Sequence, residues 1–142
     1  MFEAYSTSLL GLWFILATIS VQGQIATRTH RKQKKMVPGV MDSTLGHESF
    51  VFRSERTFRN SLENIIPLFG FSLLAMLGGL SPYRLAIVVW LYGFARLGHM
   101  ILYYRIATEK NPSPRTYFYA IGLVSTWYLG FDVGLSFILK LL

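Results

Sequence analysis

The sequence predicts an all-α integral membrane protein whose four transmembrane helices form an up-down-up-down bundle. Three observations lead there. Hydrophobic residues make up 52% of the 142 and charged residues only 15%, against roughly 25% charged in soluble domains. Four apolar runs, at 5–21, 65–80, 85–104 and 117–139, are close to the length that crosses a bilayer. The lysines and arginines lie almost wholly between those runs. Helices are expected at about 4–24, 54–79, 84–106 and 115–140, and the length suits a single domain over 1–142.

The first run, Tyr5 to Val21, has a signal peptide as its competing reading. Glu3 stands where a positive n-region would be, and no small-x-small cleavage site precedes the basic cluster, which favours a retained helix. Gln22 to Arg53 is the one long polar stretch. It carries Arg28, Arg31, Lys32, Lys34 and Lys35, a Pro38-Gly39 turn and Asp42, and reads as a loop whose path is irregular or partly helical. The second helix starts near Ser54 in a polar section that precedes its apolar run. Gly78-Gly79-Leu80-Ser81-Pro82 is a turn, and Thr108 to Pro114 is another. The fourth run contains Asp132, near the far interface and without an evident partner, which reads as structural.

Charge sets the orientation. The long loop and the following helix start hold Arg28, Arg31, Lys32, Lys34, Lys35, Arg53, Arg56 and Arg59, and the third connection adds Arg105, Lys110 and Arg115. The opposite side has only Arg84 and Lys140, while Arg96 lies within a span. Eleven basic residues against two place these connections on the cytoplasmic side and both termini on the other. The net charge of +7 is therefore a membrane-flanking feature, and no nucleic-acid partner is expected. The chain has no cysteine, so any thiol chemistry needs a sulfur brought by a substrate.

The informative residues are polar ones at helical spacing. Arg56, Arg59, Asn60 and Glu63 fall at i, i+3, i+4 and i+7, on one face that continues to Pro67. Arg96, His99 and Tyr103 share a face of the third helix. Arg96 is about two turns inside its span, where an arginine costs a few kcal/mol unless paired or hydrated. Glu63 is the evident partner. Arg115 and Tyr119 share a face of the fourth helix, beside Thr116. Each has an ordinary structural role open to it: a solvated helix start for Arg56, a helix-joining ion pair for Arg96, a satisfied core position for His99, an interfacial anchor for Arg115 and an aromatic-belt position for Tyr119. Together they describe a polar pocket at the cytoplasmic interface beside apolar walls, suited to an anionic, hydrophilic ligand meeting a lipophilic one. His30, His47 and His99 are widely spaced and form no metal-binding pair, so no metal site is expected. No phosphate-cradling glycine loop or serine nucleophile motif occurs.

Glu55-Arg56-Thr57-Phe58-Arg59-Asn60-Ser61-Leu62-Glu63-Asn64-Ile65-Ile66-Pro67 resembles the signature of the MAPEG family, the membrane-associated proteins in eicosanoid and glutathione metabolism. Leu62-Glu63-Asn64-Ile65-Ile66-Pro67 is especially similar to the microsomal glutathione transferases. Phe94-Ala95-Arg96-Leu97, with His99 and Tyr103, resembles the family's third helix, and Pro112-Ser113-Pro114-Arg115 the turn that opens its fourth.

The resemblance implies a homotrimer of four-helix subunits with glutathione as cosubstrate, bound between neighbours near the cytoplasmic face. It implies a ligand-binding set of Arg59, Asn60, Glu63, Arg96, His99, Tyr103 and Tyr119, with Arg31 and Asp42 from the first loop. Arg115 and Thr116 are the implied catalytic pair. A free thiol has a pKa of about 8.5. Lowering it by about two units takes roughly 2.7 kcal/mol, within the reach of one well-placed arginine. Arg115 takes that role here, with Thr116 as a hydroxyl donor. The implied activity is that of a glutathione transferase or peroxidase acting on lipophilic electrophiles or lipid hydroperoxides that arrive from the membrane lipids. A non-catalytic lipid-binding scaffold and a specific eicosanoid isomerase or synthase are the alternatives.

Overall fold

The computed structural model describes residues 2–34 and 36–142; Lys35 of the basic cluster lies outside the described residues. Four helices fill the chain: α1 (Phe2–His30), α2 (Phe50–Leu77), α3 (Pro82–Arg105) and α4 (Pro114–Leu141). All four are long and apolar enough to cross a membrane, and the protein is an integral, multi-pass membrane protein. The shortest, α3, has 24 residues, about 36 Å of helix against a hydrocarbon core of about 30 Å.

Local sequence explains most of the boundaries. Gly79 has a positive φ of 70° and lies one residue past the α2 cap. The amide of Leu80 bonds the Ala75 carbonyl (2.9 Å) and that of Gly79 the Met76 carbonyl (3.3 Å). This is a Schellman ending, which a glycine at that position permits. Pro82 opens α3 and Pro114 opens α4, where a missing amide costs nothing. Pro67 sits on the exposed side of α2, and the helix runs on through it.

α1 runs six residues beyond the expected end at 24, to His30. The extra turns are polar, yet Ala26 and Thr29 are buried. Thr29 Oγ1 lies 2.7 Å from Ser54 Oγ of α2. Contact between two polar helix ends, which hydropathy does not register, carries α1 onward. The start of α2 moves likewise from 54 to 50.

α2 and α3 form the middle of the bundle. α1 packs on both and so does α4, while α1 and α4 do not approach each other among the described residues. Leu68, Leu85, Val89, Tyr92 and Leu129 are almost wholly enclosed, and α1 adds Leu12, Ile15 and Ile19. Trp13, Ile66, Trp127 and Phe131 stay exposed, as a bilayer-facing surface allows. At the end away from the basic loops, Tyr5 Oη donates to the Leu80 carbonyl (2.6 Å) and Lys140 to that of Gly78. Asp132, expected to stand without a partner, accepts from Arg84 at 3.0 Å. The two are 48 residues apart, a separation that no helical spacing rule spans.

Candidate functional site

The other end of the bundle gathers the C-termini of α1 and α3, the N-termini of α2 and α4, and the connections 31–49 and 106–113. Arg96 and His99 are buried on α3, and Tyr103 follows one turn later. Arg96 sits about 13 Å inside the α3 terminus. Its place between helices exists because Gly122 of α4 faces it: a Cβ there would lie 3.3 Å from Arg96 Cδ.

Arg115 is buried as well, not extended to the interface as an anchor. Its guanidinium lies over the Tyr103 ring, 4.1 Å from the centroid. Nη2 donates to the Thr108 carbonyl (2.7 Å) and Nε to Ser113 Oγ (3.4 Å). Nη1 is enclosed with no partner among the described residues. The arginine is thus held as a stacked plate with one donor uncommitted. His99 lies 5.5 Å from Tyr103 and 6.3 Å from Tyr119, ring to ring. Asn60 joins from α2, its Oδ1 accepting from Arg96 Nη2 at 2.6 Å.

The structure therefore assembles Asn60, Arg96, His99, Tyr103, Arg115 and Tyr119, while the other sequence-predicted site residues are exposed or make other contacts. Glu63 is exposed and does not pair with Arg96, which bonds Asn60 and Ser61 instead. Three residues along a helix turn Glu63 about 60° away from Asn60 and some 4.5 Å deeper, so Asn60 meets the guanidinium first. Arg59 is exposed and paired with Glu55 at 3.0 Å. It lines, with Arg31, His30 and Glu55, a cavity of about 360 Å³ between the end of α1, the first loop and α2. Thr116 uses its hydroxyl on helix capping, accepting the Ser113 amide at 3.1 Å. Asp42 Oδ1 accepts from the Thr44 amide (2.9 Å) and hydroxyl (2.7 Å). Those two bonds hold its carboxyl below the usual range.

Two contributors escape sequence reading. His47 lies against Phe52 (5.0 Å) and Tyr103 (5.9 Å). Burial, and then the positive charge of Arg115, hold its pKa below the ordinary histidine value. Arg53 fixes this turn by donating to the carbonyls of His47 (2.6 Å), Glu48 (3.0 Å) and Tyr104 (3.4 Å). In the sequence His47 is one residue of a polar loop, and Arg53 one basic residue of several. Next to the polar cluster, an apolar groove of about 440 Å³ runs between α2 and α4, lined by Asn64, Pro67, Phe71, Leu123, Trp127 and Phe131.

A family model described as the MAPEG family matches residues 3–135. No curated protein matches the chain, and no solved structure does.

Proposed function

The chain belongs to the MAPEG family, and on that premise we propose that it is a membrane glutathione transferase whose Arg115 stabilises the glutathione thiolate. The observation that carries this reading is Arg115 itself: a buried cation, stacked on Tyr103, with Nη1 uncommitted. A fixed positive charge beside a thiol favours the thiolate, and its low-dielectric surroundings strengthen the effect. The apolar groove between α2 and α4, which begins one turn beyond Asn60, offers a lipophilic electrophile a route from the bilayer. The thiolate sulfur forms a bond to an electrophilic carbon, whose leaving group departs with the electron pair. With a lipid hydroperoxide the sulfur would instead attack the terminal peroxide oxygen: the O–O bond breaks, the alkoxide leaves and is protonated to the lipid alcohol, and the glutathione sulfenic acid reacts with a second glutathione to give the disulfide and water.

Asn60 and Tyr103 would offer donors and acceptors to the ligand's carboxylates and ammonium group, with Arg96 enclosed behind them and holding Asn60 Oδ1. Arg31 and Arg59 open on the α1–α2 side of the subunit, and Arg115 lies between α3 and α4. A homotrimer would set the first pair of one subunit against the Arg115 of the next. Both halves lie at the basic end, which the charge imbalance assigns to the cytoplasm.

The test is spectroscopic. Glutathione titrated into the purified protein at pH 7 should produce thiolate absorbance in proportion to occupied sites. Binding without that absorbance would favour the non-catalytic lipid-binding scaffold.

A further inference from the structure

Gln22 of α1 meets Tyr92 and Arg96, which stand one turn apart on α3, in the middle of the bundle. Gln22 and Tyr92 are each 1% exposed and Arg96 is 5% exposed. Together with Ser61, Thr18, Ile15 and Ile19 they surround a cavity of about 10 Å³. Four of their polar atoms are enclosed with no partner among the described residues: Gln22 Oε1, Tyr92 Oη, and Arg96 Nε and Nη1. Arg96 commits only Nη2, to Asn60 and Ser61.

The four atoms are chemically complementary. The two arginine nitrogens can only donate, the glutamine oxygen can only accept, and the phenol can do either. The cavity is about one water molecule in size. A water there accepts from Nε and Nη1 and donates to Gln22 Oε1 and Tyr92 Oη, which satisfies all four. Leaving several buried polar groups bare costs more than immobilising one water. The need is greatest for Arg96, a cation at membrane depth whose hydrogen-bond partners among the described residues, Asn60 and Ser61, are both neutral.

We propose that one bound water joins Gln22, Tyr92 and Arg96, and that Gln22 thereby acts as a positioning residue for the glutathione site, a role that rests on the function proposed above. Gln22 and the water hold one side of the guanidinium. The other side holds Asn60 Oδ1, and so fixes the α2 face that meets the ligand.

A thermal cycle on the full chain in detergent tests the water site without reference to activity. Gln22→Leu should lower the melting midpoint by about 4–8 °C. In an Arg96→Met background the same change should cost less than half as much, because the groups that need the water are gone. Equal losses in both backgrounds would overturn the proposal. If Gln22→Leu does not fold, Gln22→Glu decides. Its carboxylate can face the guanidinium, so the midpoint should stay within about 2 °C of the parent, then fall by at least about 5 °C when Arg96→Met is added. A Gln22→Glu loss that is the same with and without Arg96 would overturn the proposal by the second route.

Glutathione binding tests the positioning role. Gln22→Leu, or Gln22→Glu where that variant replaces it, should raise the glutathione Kd about 3- to 10-fold while kcat at saturation stays within about twofold. An unchanged Kd would remove the positioning role. A parent protein that binds no glutathione would remove the functional reading instead, and the thermal cycle would still decide the water site.

Discussion

Arg115 makes three separable commitments: a ring face, a carbonyl and a hydroxyl, with one nitrogen left over. Arg115→Ala should return the bound thiol pKa toward about 8.5 and lower turnover about 10- to 100-fold, while glutathione affinity changes less than about threefold. Calorimetry and the pH dependence of thiolate absorbance on the same variant check this. A retained low pKa would reduce Arg115 to a structural role. Arg115→Lys should not rescue activity, because an ammonium cannot stack on Tyr103 and bond Thr108 at once. His47 supplies a pH dependence of stability. Its folded pKa lies below its unfolded value of 6.5. Between those two values the unfolded chain binds more protons, so stability is complete above 6.5 and declines as pH falls toward the folded pKa. The melting midpoint should therefore be lower at pH 5 than at pH 7.5. His47→Phe, which keeps an aromatic ring against Phe52 and Tyr103, should narrow that difference. Asp42 titrates in a separate, more acid window, its stabilisation disappearing only as pH falls below 3.8.

The helices meet where glycines let them. A Cβ on Gly98 would lie 2.6 Å from the Phe118 ring, so α3 and α4 cross at a contact that admits no side chain on the α3 side. Gly98→Ala should destabilise the bundle by about 1–3 kcal/mol through overpacking, and Phe118→Leu in the same chain should recover part of the loss. Thermal midpoints of the two single variants and the double variant measure it. The Arg84–Asp132 pair joins the same helices at the far end, but the Arg84 side chain is 50% exposed. Solvent screening limits that pair to about 1 kcal/mol at most. The α3–α4 seam thus depends on shape near the site and much less on charge at the opposite end.

For the whole molecule, the single chain leaves Glu63, Arg31 and Arg59 exposed. The proposed homotrimer would set these groups against a neighbouring chain. The detergent-solubilised mass should correspond to three chains, and a monomer that still binds glutathione would refute a shared site. Orientation can be read by single cysteines, since the chain has none of its own. Ser43 and Asn111 are exposed, whereas Ser113 is buried and makes a poor probe. Cysteines at 43 and 111 should resist an impermeant reagent added outside intact cells. Labelling of both would reverse the assigned orientation.

The membrane architecture was legible from the sequence because hydropathy and helical spacing are local properties. Four apolar runs, the Gly78–Pro82 turn and the proline-marked start of α4 needed no tertiary information, and the spacing of Arg96, His99 and Tyr103 placed them on one face. Partnership was not legible. Asn60 rather than Glu63 meets Arg96 because a turn of about 60° on α2 separates two residues that the same polar stripe contains. Arg84 finds Asp132, and Thr29 finds Ser54, across 48 and 25 residues. Gln22 ends an apolar run and reads as the first residue of a polar loop, yet it is enclosed opposite Arg96. A sequence determines which residues a helix carries and on which face. Which of them a second helix touches depends on the angle and depth at which the two pack, and only the assembled bundle sets those.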